Sequence, residues 1–163
     1  MKNLLTSLVC LFTLLFASCS QSEDANFITL KTESFQISVD EKGYINKFVD
    51  LKTDKNYMPE DSTAPVMLIR INNEIIPPHS AEMNENTLSL KYKNGIEANI
   101  KIEQKTSHLT FELLSLTSNE KVELITWGPY PTTIDKIIGE TVGVVRGEEY
   151  AVGIQALNIK TDN

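Results

Sequence analysis

From residue 27 onward, apolar positions recur every second residue rather than every third or fourth. Phe35, Ile37 and Val39 alternate with Gln36 and Ser38, the period of a strand with one buried face. Leu88, Leu90 and Tyr92 repeat the pattern, followed by Ile96, Ala98, Ile100 and Ile102 and then by Leu109, Phe111 and Leu113. Val66-Met67-Leu68-Ile69 is apolar at every position, as a strand covered on both faces requires. Further strands are expected over 27–31, 44–51, 75–76, 122–127, 141–146 and 150–157. Turns separate them at Asp40-Glu41-Lys42-Gly43, Thr53-Asp54-Lys55-Asn56, Asn72-Asn73, Asn94-Gly95 and Gly147-Glu148-Glu149. Asn94-Gly95 is the strongest of these, because a type I′ hairpin turn needs positive φ at both central positions. Residues 59–65 read as a loop flanked by prolines, and 134–138 as at most one helical turn. No segment sustains a 3.6-residue period. The chain is therefore expected to be all-β, an antiparallel β-sandwich.

The first eighteen residues follow a different rule. Lys2 precedes an apolar run from Leu4 to Phe16, and Ala17 and Ser18 are small. The run falls short of the ~20 residues that cross a bilayer as a helix. Phe16-Ala17-Ser18-Cys19 resembles the lipobox of bacterial lipoproteins, with Phe16 where leucine is usual. The resemblance implies cleavage before Cys19, lipidation of its sulfur, and a lipid-anchored protein of the cell envelope, on the outer membrane or facing the periplasm. An ordinary secretory signal cleaved near Ala17 is the other reading. The expected organisation is a signal over 1–18, a polar flexible tether over 19–26, and a sandwich over 27–163. Acyl chains contribute about 0.8 kcal/mol per buried CH₂, so a multiply acylated cysteine holds firmly.

Cleavage sharpens the chemistry. The chain has two cysteines, Cys10 and Cys19; the first would be removed and the second acylated. No thiol then remains for a disulfide or a metal site. Residues 1–18 hold one Lys and no acid, so their loss takes 163 residues to 145 and the formal charge from −7 to −8. A core of useful size is available, and the acidic balance argues against nucleic acid as a partner. Lys101, Glu103 and Lys105 read as a solvated strand face.

The stretch from Phe35 to Leu157 resembles the N-terminal β-sandwich of large Bacteroidetes-type glycoside hydrolases, a galactose mutarotase-like supersandwich. Three features carry the resemblance: the 35–51 hairpin, the corner Trp127-Gly128-Pro129-Tyr130-Pro131, and Gly139-Glu140-Thr141-Val142-Gly143-Val144-Val145-Arg146 leading into 150–158. It implies a carbohydrate-active module that precedes a catalytic domain, which would make the sandwich partial and this chain one piece of a longer protein.

Candidate ligand-binding residues are Trp127 and Tyr130, whose rings would stack on a sugar while prolines hold the loop. The same corner also suits a purely structural role between sheets. Glu140 and Arg146 offer an acceptor and a two-pronged donor for hydroxyls, or a plain ion pair on a solvated face. His79 and His108 are the only histidines. Mutarotase chemistry needs a histidine acid and a glutamate base across a sugar, and neither histidine has a motif partner nearby. The pattern contains no zinc spacing and no phosphate loop, so no metal or cofactor is expected.

The function expected is that of a surface-anchored carbohydrate-binding or accessory module of a glycan-degrading system, non-catalytic alone. A small mutarotase-like or glycosidase enzyme using a His/Glu pair is the second reading, and a structural or protein-binding lipoprotein the third. The lipobox makes a direct prediction. Cys19→Ser should abolish incorporation of labelled palmitate and move the protein out of the membrane fraction; label retained in the variant would refute lipidation at Cys19.

Overall fold

A computed structural model describes residues 27–158 and residue 160. The expected signal, Cys19 and the expected tether lie outside the described residues. Within them the chain is all-β, and every strand pairing is antiparallel. The arrangement is sandwich-like.

β1 (Ile28–Lys31), β2 (Phe35–Val39), β3 (Tyr44–Asp50) and β4 (Lys55–Asn56) lie side by side, and β5 (Ala64–Pro65) joins β3. A second sheet runs β12 (Leu124–Trp127), β6 (Met67–Ile71), β7 (Glu74–Ile76). A third runs β11 (Leu109–Thr117), β10 (Glu97–Gln104), β9 (Thr87–Lys91), β8 (Ser80–Asn84). The last holds β13 (Ile137–Ile138), β14 (Val144–Arg146) and β15 (Ala151–Gly153).

The alternation read from the sequence becomes burial. Leu88, Leu90 and Tyr92 are buried, as are Ile96, Ala98, Ile100 and Ile102. They pack with Leu30, Val39 and Ile45 of the first sheet and Met67, Ile69 and Ile71 of the second in one shared core. The outer face of the third sheet is a polar ladder, in which the Ser89 hydroxyl donates to Asn99 at 2.7 Å and the Asn99 amide to Ser115 at 3.1 Å. Glu103 lies on the same face between Lys101 and Lys105, at 2.8 and 2.9 Å. Hydrogen bonds from these two ammonium groups pull its carboxyl down to about 2.

The turns also follow their residues. Asn72 and Asn73 both take positive φ, as do Asn94 and Gly95, so both hairpins close tightly. At the first hairpin the Asp40 carboxylate accepts from the amides of Lys42 and Tyr44, each at 2.9 Å, and Gly43 sits at φ 89°. A register shift between Ser38 and Val39 leaves Asn46 as the extra residue of β3, a β-bulge.

Several elements depart from the sequence pattern: Lys55–Asn56 and Ala64–Pro65, expected in a turn and a loop, pair with β3, and the expected strand 141–146 shortens to Val144–Arg146. Residues 134–138 form no helical turn; Ile134 is buried and Ile137–Ile138 pairs as β13, because a strand partner from β14 satisfies the backbone. Strand 150–157 shrinks to Ala151–Gly153, and Ile154 and Leu157 are exposed, since the apolar run meets no covering face. β8 was not anticipated: its only inward side chains are Ala81 and Met83, too few apolar residues to announce a strand.

Gly43 tests the link between turn and core. A Cβ there would lie 2.9 Å from Leu90 Cδ2 and 3.2 Å from Pro78 Cγ, whereas nothing lies within 4 Å at Gly95. Both glycines have positive φ, so Gly95→Ala controls for backbone strain. Gly43→Ala should cost about 1–3 kcal/mol more than that control in urea unfolding. Equal losses would show that the contact with Leu90 does not matter.

Candidate ligand-binding site

Aromatic side chains from separated parts of the chain converge at one edge of the first sheet. Phe35 meets Phe48 edge-on at 5.5 Å between ring centroids. Tyr57, just after β4, lies 6.0 Å from Phe48. Tyr150, at the entry to β15, stacks on Tyr57 at 5.0 Å and 24° and meets Phe48 at 6.0 Å. Such pairs are worth ~0.5–1.5 kcal/mol beyond the area they bury. Burial and the nearby Asp50 carboxylate raise the Tyr150 hydroxyl above its ordinary range. Asp50 is itself held below the usual carboxylate range, chiefly by the Thr53 hydroxyl at 2.5 Å.

The backbone secures the same junction. Thr133 donates its amide to the Tyr57 carbonyl at 2.8 Å, and its hydroxyl reaches the same oxygen at 3.3 Å. Ile134 is buried beside it. Residues 133–150 thereby form an arm laid over Tyr57.

Between arm and sheet opens a cleft of about 280 Å³. Tyr57 and Tyr150 line it, with Lys55, Asp135, Glu148 and Glu149 around them. The Lys55 ammonium sits 4.7 Å over the Tyr57 ring, a cation–π contact. Lys136 and Glu148 form an ion pair on the arm. Among the described residues, the carboxylates of Asp135 and Glu149 make no hydrogen bond or ion pair. The cleft thus joins the half-buried Tyr150 ring, with the buried Tyr57 behind it, to acceptors left open to solvent.

The residues singled out in the sequence lie elsewhere; none of Trp127, Tyr130, Glu140 or Arg146 lines this cleft. Trp127 is half-buried, pairs with Met67 in the ladder, and lies 6.1 Å from Phe111. Tyr130 donates its hydroxyl to the Val66 carbonyl at 2.6 Å. Burial raises that hydroxyl far above its ordinary range. Both rings therefore have packing roles, and the tyrosine proton is committed. Pro129 and Pro131 are exposed, and the Gly128–Pro129 bond is cis.

Glu140 and Arg146 meet each other at 3.1 Å, with both side chains exposed; a pair so solvated is worth ~0–1 kcal/mol. His108 contacts Ser107 at 3.2 Å on the surface. His79 lines a second cleft together with Glu97. Among the described residues, no group of three or more His, Cys, Asp or Glu side chains is placed to hold a metal, and no helix is long and apolar enough to cross a membrane.

No protein-family model, curated protein or solved structure matches the chain.

The corner yields a stability prediction. Tyr130→Phe keeps the ring but leaves the buried Val66 carbonyl without that donor. It should cost about 1–3 kcal/mol in urea unfolding. A loss below a few tenths would mean that the hydroxyl is dispensable.

Proposed function

We propose that this protein is a lipid-anchored carbohydrate-binding module that serves a glycan-degrading system and engages sugar in the Tyr57–Tyr150 cleft. The observation that carries the reading is the half-buried Tyr150 ring, backed by the buried Tyr57, beside unengaged carboxylates at one solvent-open cleft. Sugar recognition needs both parts: an apolar ring plane for C–H faces, and fixed acceptors for hydroxyl protons. The volume suits one or two sugar units. The signal-like N-terminus supports a location at the cell envelope, where glycans are met. Trp127 and Tyr130 contribute by holding the body on which the cleft is built.

Glycan-array screening of the full-length protein in neutral detergent, followed by titration calorimetry with the best ligand, tests this reading. Glu149→Gln removes an exposed acceptor charge without touching the tyrosine stack. It should weaken binding roughly tenfold while leaving the unfolding midpoint unchanged. Binding to no glycan, or equal affinity in the variant, would overturn the assignment to this cleft.

A further inference from the structure

Among the described residues β11 is the longest strand, at nine residues, and it lies at the rim of the third sheet. β10 pairs with one side of it, and no described backbone group bonds to the other. Burial fades toward this rim. Ile100 and Ile102 of β10 are fully buried, whereas Leu113 and Phe111, their neighbours across the ladder, are only half-buried. Leu109 is half-buried as well. Trp127, half-buried on β12 at the edge of the second sheet, lies 6.1 Å from Phe111. Two sheets thus leave apolar side chains incompletely covered at one rim.

Free strand edges are ordinarily blunted by charge, proline or shortness. β1, β4, β7 and β8 follow that rule, carrying Lys31, Lys55, Glu74 and Glu82 on no more than five residues each. β11 holds one charge, Glu112, which already faces Lys101 across the ladder. Glu103, beside Thr110 on β10, is compensated by Lys101 and Lys105. A bulge at Leu114 ends the regular register, so the free stretch is Leu109-Thr110-Phe111-Glu112-Leu113. That stretch is complementary to itself. About a two-fold axis through Phe111, Leu109 falls opposite Leu113, and Thr110 opposite Glu112. Leucines and phenylalanines then meet on the inner face, the Thr110 hydroxyl can donate to the Glu112 carboxylate on the outer face, and no like charges are opposed. A two-fold interface between identical chains requires such self-complementarity.

We infer that β11 is the pairing edge for a second copy of this chain, joined antiparallel so that two four-stranded sheets become one of eight strands. The second copy supplies partners for the free backbone groups and covers Leu109, Phe111 and Leu113 with their own counterparts. The inference does not rest on the ligand reading of the Tyr57–Tyr150 cleft.

Sedimentation velocity on the full-length protein, in neutral detergent with micelles in large excess, tests it. The protein should be dimeric at micromolar concentration. Thr110→Glu sets carboxylates opposite each other on both sides of the two-fold axis. It should raise the dimer dissociation constant at least about tenfold. Adding Glu112→Lys to that variant makes each pair opposite in charge and should restore the dimer. Circular dichroism melts would confirm that both variants remain folded. A monomeric parent protein, a dimer undiminished by Thr110→Glu, or a double variant as monomeric as the single one would each overturn the inference.

Discussion

Two tyrosine hydroxyls end on consecutive carbonyls of one buried segment, and much of the molecule is arranged around them. Tyr92 donates to Met67 at 3.1 Å and Tyr130 to Val66 at 2.6 Å. Val66 and Met67 are fully buried, so no water reaches these oxygens, and an unmet carbonyl there would be costly. Tyr92 arrives from the third sheet and Tyr130 from the corner after β12. The two bonds thereby pin separate sheets to a common line, while the Val66 amide donates to Gly43 in the first sheet at 2.9 Å. Three sheets meet at two adjacent residues. Leu90 and Pro78 close directly on Gly43, so the core leaves no room for a side chain there.

The fourth sheet stands apart from this arrangement. None of its strands supplies a residue to the shared core cluster. It is attached through Ile134, Thr133 and Tyr150, and each of these contacts is made at or beside Tyr57 or the aromatic group behind it. The cleft is a product of that attachment: one wall belongs to the body and the other to the arm. Its chemistry is therefore assembled from residues that lie far apart along the chain.

Legibility in the sequence followed the range of the interactions. Strands with a strict two-residue period, such as 96–102, were readable because each inward residue reaches the same core. Asn94-Gly95 was readable because its backbone demands are local. β8 was not, since Ala81 and Met83 carry too little apolar surface, and the tail beyond Gly153 was overread because apolar residues there remain exposed. The aromatic corner at 127–131 drew attention as a cluster in sequence, although its tyrosine is occupied with Val66. The Tyr57–Tyr150 stack is not legible in the sequence, because nothing local to either residue signals the other. Glu148 and Glu149 read only as turn residues for the same reason.

Among the described residues, the arm meets the body around Tyr57 and Phe48, while its strands stay outside the shared core. Few buried contacts hold it, so its local opening free energy lies below that of the three-sheet body. Opening would separate Tyr150 from Tyr57 and erase the cleft. Any molecule bound there stabilises the closed arm by mass action. Occupancy of the cleft and protection of the arm's amides from exchange are thus two readings of one equilibrium, and the arm is as much a reporter of the ligand as a wall of its site.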